Sequence, residues 1–180
     1  MEREIACESS LYSDMLVKYF NSLVACKSPF LGLMLWLFPE LVTEDQVTAV
    51  ANIARECLGT WMLGDRMLFW LACINDSNCR PERTRYIEAE IRRLQLDSGV
   101  DAGAFATVEG KDEKGNLISS AIGLLVLVSC ARRDDSKGPV AEVTQKTACW
   151  LIGQLSVVQA VDESIAWAYY ALSEYINLFR

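Results

Sequence analysis

The chain has 180 residues, 52% of them hydrophobic and 23% charged, with only 10 glycines and 4 prolines; this profile excludes a disordered or fibrous chain and suffices for one domain, 1–180, with a sizeable core. Acidic residues outnumber basic ones 24 to 17, and the net charge of −7 argues against nucleic acid and anionic membrane surfaces as partners. Histidine is absent, which excludes Ser-His-Asp and Cys-His catalysis, imidazole-ligated zinc and the usual general base near neutral pH.

The first ten residues, MEREIACESS, are charged and carry no apolar core, so no signal peptide is expected. Residues 9 to 25 place Tyr12, Met15, Leu16, Tyr19 and Leu23 at three- and four-residue spacing, the pattern of an amphipathic helix capped by Ser9 or Ser10. Ser28-Pro29 opens FLGLMLWLF, apolar on every side until Pro39; a helix of that kind is expected in the middle of the domain. Thr43-Glu44-Asp45-Gln46 fits a capping box, followed by a face of Val47, Val50, Ala51, Ala54, Cys57 and Leu58 that Gly59 ends or bends.

TWMLGDRMLFWLACIN, residues 60 to 75, then forms a strongly apolar helix interrupted by Asp65 and Arg66, closing at the polar INDSN turn. Pro81 starts a helix rich in arginine and glutamate, with a narrow stripe of Tyr86, Ile87, Ile91 and Leu94. Its Arg80, Arg83, Arg85, Arg92 and Arg93 are interleaved with Glu82, Glu88 and Glu90, which reads as a solvated helix face rather than a nucleic-acid patch. A loop or small hairpin is expected near 99–118. AIGLLVLVSCA suits a buried helix or a buried strand, and helix is the better reading because no second strand is available to pair with it. RRDDSKGP is a linker, and Gly138-Pro139 opens a helix through Val140, Val143, Thr147, Trp150, Leu151 and Gln154. The last helix follows Asp162-Glu163, with Ile165, Ala168, Tyr169, Leu172, Ile176 and Phe179 spaced for one face.

These elements add up to an all-α fold, a single compact bundle of seven to eight helices. A shift of 89 residues aligns Trp61 with Trp150, Gly64 with Gly153, and Tyr86-Ile87 with Tyr175-Ile176, so a duplicated helical unit stays open. The longest apolar runs fall short of the roughly 20 residues that span a bilayer. The seven cysteines contain no C-x-x-C pair, so reduced, buried thiols and a cytoplasmic location are expected, with Cys73 and Cys79 the one pair close enough in sequence to oxidise.

No phosphate loop, dinucleotide fingerprint, EF-hand or nucleophile elbow is present, and no cofactor or catalytic residue is assigned. Glu44-Asp45, Asp112-Glu113, Asp134-Asp135 and Asp162-Glu163 are adjacent in sequence, so their side chains diverge, and capping explains them better than metal. GTWMLGDR pairs a tryptophan with Gly-x-Arg but lacks the Asn-Trp-Gly-Arg sequence of the Bcl-2 family, and WLIGQL does not supply that family's second motif, so no family is recognised.

Two readings of function follow. The first is a non-enzymatic protein that binds another protein or a second copy of itself, as an adaptor, regulator or immunity-type partner. The alternative is a helical small-molecule binder with an aromatic-walled pocket. The candidate binding residues are Asp65, Arg66, Trp61, Trp70, Trp150, Tyr170 and Tyr175. Charges inside an apolar helix must be paired, line a cleft or meet solvent, and the tyrosines of the last helix cannot all face one core.

Overall fold

The computed structural model describes residues 2–76, 78–110, 114–133, 139–157 and 162–178, and the side chains within them except those of 2–13, 41 and 139–141. The described residues form eight α-helices and no strand: α1 (Glu2–Ala25), α2 (Leu31–Leu37), α3 (Glu44–Cys57), α4 (Leu63–Asn75), α5 (Pro81–Leu94), α6 (Leu117–Arg133), α7 (Pro139–Leu155) and α8 (Glu163–Asn177). Short 3-10 turns at Pro39–Leu41 and Leu58–Thr60 complete them. None of these helices is long and apolar enough to cross a membrane. The chain divides into two compact units, Met1–Trp61 and Met62–Arg180. The linker residues 134–138, the acidic residues 112 and 113, and Phe179 lie outside the described residues.

In the first unit, α1 ends in a left-handed residue, Lys27 (φ 51°), with the Ser28 amide donating to the Leu23 carbonyl at 2.9 Å; this is a Schellman-type close. The capping box of α3 forms as expected, the Gln46 amide N–H donating to Thr43 Oγ1 at 3.3 Å and the Thr43 amide to Gln46 Oε1 at 3.0 Å. Gln46 Nε2 then donates to Asn21 of α1 at 2.7 Å, so one side chain both caps a helix and ties it to its neighbour.

Three expectations about this unit are corrected. The buried face of α1 runs through Phe20 and Leu23, leaving Met15 and Tyr19 exposed. On α3, Ile53 joins Val50 and Ala54 inside while Val47 and Ala51 face out. The apolar α2 is not the centre of anything: only Leu31, Gly32 and Met34 are buried, while Phe30 before this seven-residue helix and Leu37 at its end meet solvent instead.

The helix wrapped on all sides is α6. Every residue from Ser119 to Cys130 is buried, and α4, α5, α7 and α8 all pack on it. A uniformly apolar helix is stable only where apolar neighbours cover its circumference. This decides AIGLLVLVSCA as helix. Around it, α4 turns in Leu63, Met67, Trp70, Leu71 and Ile74. From α5 come Thr84, Ile87, Ile91 and Leu94; Tyr86, expected on that stripe, is exposed. On α8 the expected single face splits: Ala168 and Leu172 are buried, while Tyr169 and Ile176 are exposed. Ala171 takes their place inside.

The segment between α5 and α6 makes one isolated antiparallel bridge, Gln95 to Phe105, rather than a hairpin of two strands. Leu96 and Ala104 hold it through an amide–carbonyl bond of 2.9 Å. Gly103 turns with φ +96°, and its α-carbon lies so near the chain of α7 that a Cβ would sit 2.6 Å from the Lys146 carbonyl oxygen. The Gln95 side-chain amide donates to the carbonyls of Gly103 and Val143 and to Thr147 Oγ1, fastening the loop to α7. Phe105 is fully buried, its ring resting on Gly123 of α6.

The echoed positions have different local surroundings. Trp61 ends the 3-10 turn before α4, whereas Trp150 lies well inside α7. Gly64 faces Ser119 and Ile122, while a Cβ on Gly153 would meet nothing.

Candidate functional site

Asp65 and Arg66 occupy the first turn of α4 and do not pair with each other. Arg66 Nη1 donates to Glu109 Oε2 at 2.6 Å, and Arg93 Nη1, from the end of α5, donates to Glu109 Oε1 at 2.7 Å. Arg93 Nη2 also reaches Glu90 at 3.0 Å. One carboxylate of the α5–α6 segment thus joins two helices, with the Arg66 side chain only 12% exposed. The hydrogen bond from Arg66, then that from Arg93, holds the Glu109 carboxyl below its usual range.

Asp65 behaves oppositely. Burial alone raises its pKa, and no hydrogen bond or ion pair to its carboxylate is made among the described residues. Its place at the positive end of α4 favours the ionised form, but desolvation dominates.

The tryptophans are interior. Trp70 and Trp150 are buried in the second unit, and the Trp150 indole N–H donates to Asp101 Oδ1 at 3.0 Å. Gly115 lies against the same ring, where a Cβ would come within 2.6 Å of Cζ2. Trp61 is buried at the end of the first unit.

Tyr170 and Tyr175 lie on α8, the first exposed and the second half-buried. Partial burial raises both phenols above their usual pKa; Glu174 pushes Tyr170 further up and Arg132 opposes it, while Cys149 adds to the rise at Tyr175. Arg132 at the end of α6 pairs with Glu174 at 2.7 Å.

The candidate residues therefore fall into three sets: the α4 start with its Glu109 partner, buried rings of the core, and the α8 surface. Sequence reasoning missed two features. Glu109 carries no local signal, because its partners are 43 and 16 residues away. The second is a cavity of about 140 Å³ where α5 begins, lined by Cys79, Pro81, Thr84, Arg85 and Arg133, with a larger and somewhat more open hollow of about 530 Å³ lined by Asn78, Arg80, Glu82 and Arg83. Neither is walled by a tryptophan.

No group of three histidines, cysteines, aspartates or glutamates among the described residues could hold a metal ion. Asp162 is the cap of α8, its Oδ1 accepting from the amides of Ser164 and Ile165 and from the Ser164 hydroxyl. Glu44 and Asp45 occupy the first turn of α3. Asp112-Glu113 and Asp134-Asp135 lie outside the described residues. No family model, curated protein or solved structure matches the chain.

Proposed function

We propose that the chain is a non-enzymatic binding module that engages a helical segment of another protein through the outer edge of α8. The observation that carries this reading is the exposure of Tyr169 at 63% and Ile176 at 51%, seven residues apart on a helix whose inner face is already satisfied by α6. Tyr169 and Ile176 lie two helical turns apart and so share one outer side of the helix, the spacing at which a partner helix can lay side chains between them. Ala166, Ser173 and Asn177, exposed beside them, carry no charge that a partner helix would have to desolvate. Tyrosine and isoleucine exposed together give large apolar area at low cost in side-chain freedom.

Ile152 and Val157, exposed on and just beyond α7, add apolar surface to the same unit. An adaptor, regulator or immunity-type role is consistent with such a surface on an acidic protein, and the acidic remainder favours a partner with basic groups at its rim. No specific observation favours the aromatic-walled pocket: Trp150 has its N–H satisfied by Asp101, and both Trp70 and Trp150 are packed inside.

The test is the double variant Tyr169→Ser, Ile176→Ser. It keeps the far-UV circular dichroism and melting temperature of the parent, since exposed side chains contribute little to folding, and it loses a specific interaction partner recovered with the parent chain. Recovery of the same partner, undiminished, by a folded variant overturns the reading.

A further inference from the structure

The arginines of α5 divide into two groups that the sequence does not separate. Arg92 and Arg93, at the end of the helix, are matched by Glu88, Glu90 and Glu109. Arg80, Arg83 and Arg85, at its start, have no such partners: no ion pair is made by Arg80, Arg83 or Arg85 among the described residues. Local helix stability does not account for them. The N-cap position favours Ser, Thr, Asp or Asn, and a cation in the first turn opposes the helix dipole, yet Arg80 is the N-cap and Arg83 the third residue of the helix.

A fourth arginine converges on the same place from α6. Arg133 donates through Nη2 to the Asp76 carbonyl at 2.5 Å and through Nη1 to the Cys79 carbonyl at 3.3 Å, which fixes its guanidinium against the α4–α5 turn. One oxygen of the Asp76 carboxylate accepts from the Asn78 amide at 2.9 Å within that turn. Among the described residues, the cavity of about 140 Å³ thus has two guanidinium groups, a hydroxyl and a thiol in its lining and no carboxylate; Thr84 Oγ1 and Cys79 Sγ lie 3.6 Å apart in its wall. Glu82 belongs to the neighbouring hollow. Drug-sized ligands occupy roughly 300 to 1,000 Å³, so this space suits one small group. The small group that offsets uncompensated guanidinium charge is a tetrahedral oxyanion, which arginine binds through parallel N–H donors.

We propose that this cavity is a binding site for a single oxyanion of the phosphate class, held by Arg85 and Arg133, as free phosphate or as the phosphate of a small monoester. It is separate from the α8 surface and stands or falls independently of it.

The test follows Cys79 alkylation by mass spectrometry and the melting temperature together, on the full chain, with inorganic phosphate, O-phosphoserine, and sodium chloride at matched ionic strength. Cys26 and Cys149, both exposed, are internal controls. Phosphate at ten times a millimolar Kd slows labelling of Cys79 by about tenfold and raises the melting temperature, while Cys26 and Cys149 label at unchanged rates and chloride has neither effect. Arg85→Gln abolishes the phosphate-dependent rise and the protection; Arg85→Lys keeps part of both. A response to phosphoserine equal to or above that to phosphate identifies the monoester as the source, and a response to phosphate alone identifies the free ion. Absence of any phosphate-dependent rise in melting temperature beyond chloride, or the same rise in a folded Arg85→Gln variant, overturns the proposal.

Discussion

Arg66 and Glu109 meet at 2.6 Å across 43 residues of sequence, and Arg93 meets the other oxygen of the same carboxylate. The charged pair that interrupts the apolar α4 is thus resolved asymmetrically. Arg66 is neutralised by a segment remote in sequence, and Asp65 is half-buried with no ion pair or hydrogen bond to its carboxylate among the described residues.

Removing Arg66 takes away the more buried of the two partners of Glu109 while Arg93 remains on the other oxygen, so Arg66→Ala costs about 1 to 2 kcal/mol, whereas Arg93→Ala, at a more exposed pair, costs at most about 1 kcal/mol. The pH dependence has a definite sign. The Glu109 pKa is depressed in the fold, so its contribution is fully present above the unfolded carboxylate pKa of about 4.3 and is lost as pH falls through the lower folded value. Urea unfolding of the parent and Glu109→Gln between pH 3 and 7 reads this as a stability gap that closes on acidification.

Asp65 gives the opposite sign. Its folded pKa is raised by burial, so the fold favours the protonated form, and stability is lost as pH rises from the unfolded pKa through the folded one. Asp65→Asn is therefore more stable than the parent at pH 7, and the advantage shrinks toward pH 3 in the same unfolding series.

Gly123 holds the ring of Phe105 against the fully buried α6, where an added Cβ would lie 2.6 Å from Cε2. Alanine is the better helix former by about 1 kcal/mol, but overpacking a core costs about 1 to 3 kcal/mol. Gly123→Ala consequently lowers the melting temperature. Phe105→Leu in the same chain recovers part of that loss, which a thermal scan of the three variants reads directly.

Burial pushes the Cys73 thiol up to about 11, and the thiolate is the reactive species. In a timed alkylation at pH 8, Cys73 is modified far more slowly than the exposed Cys26 and Cys149, and the rates converge after unfolding.

The fold was legible wherever a signal was local. The Thr43–Gln46 capping box and the proline starts of α5 and α7 announced themselves, because a helix end is decided by residues within one turn. The apolar run of α6 identified a buried element, and the lack of a pairing strand identified it as helix. What failed was the choice of inner face. Tyr19, Tyr86, Tyr169 and Ile176 satisfy a helical period as well as their buried neighbours do, and an amphipathic stripe of several residues can be rotated by one position without changing its pattern. Glu109, Asp101 and Arg133 carried no signal at all, because each acts on a residue more than ten positions away. The arginines of α5 read as one solvated face, although Arg92 and Arg93 pair with Glu88, Glu90 and Glu109 while Arg80, Arg83 and Arg85 make no ion pair among the described residues.

The most direct test of the binding surface is position-specific photo-cross-linking with benzoylphenylalanine in place of Tyr169, using the same substitution at Tyr86 as control; both side chains are more than half exposed, on different helices. A discrete adduct from position 169, lost when Ile176→Ser is added and absent from position 86, is the expected result. Equal adducts from both positions, or none from 169 in a folded chain, would contradict the assignment of α8 as the contact surface.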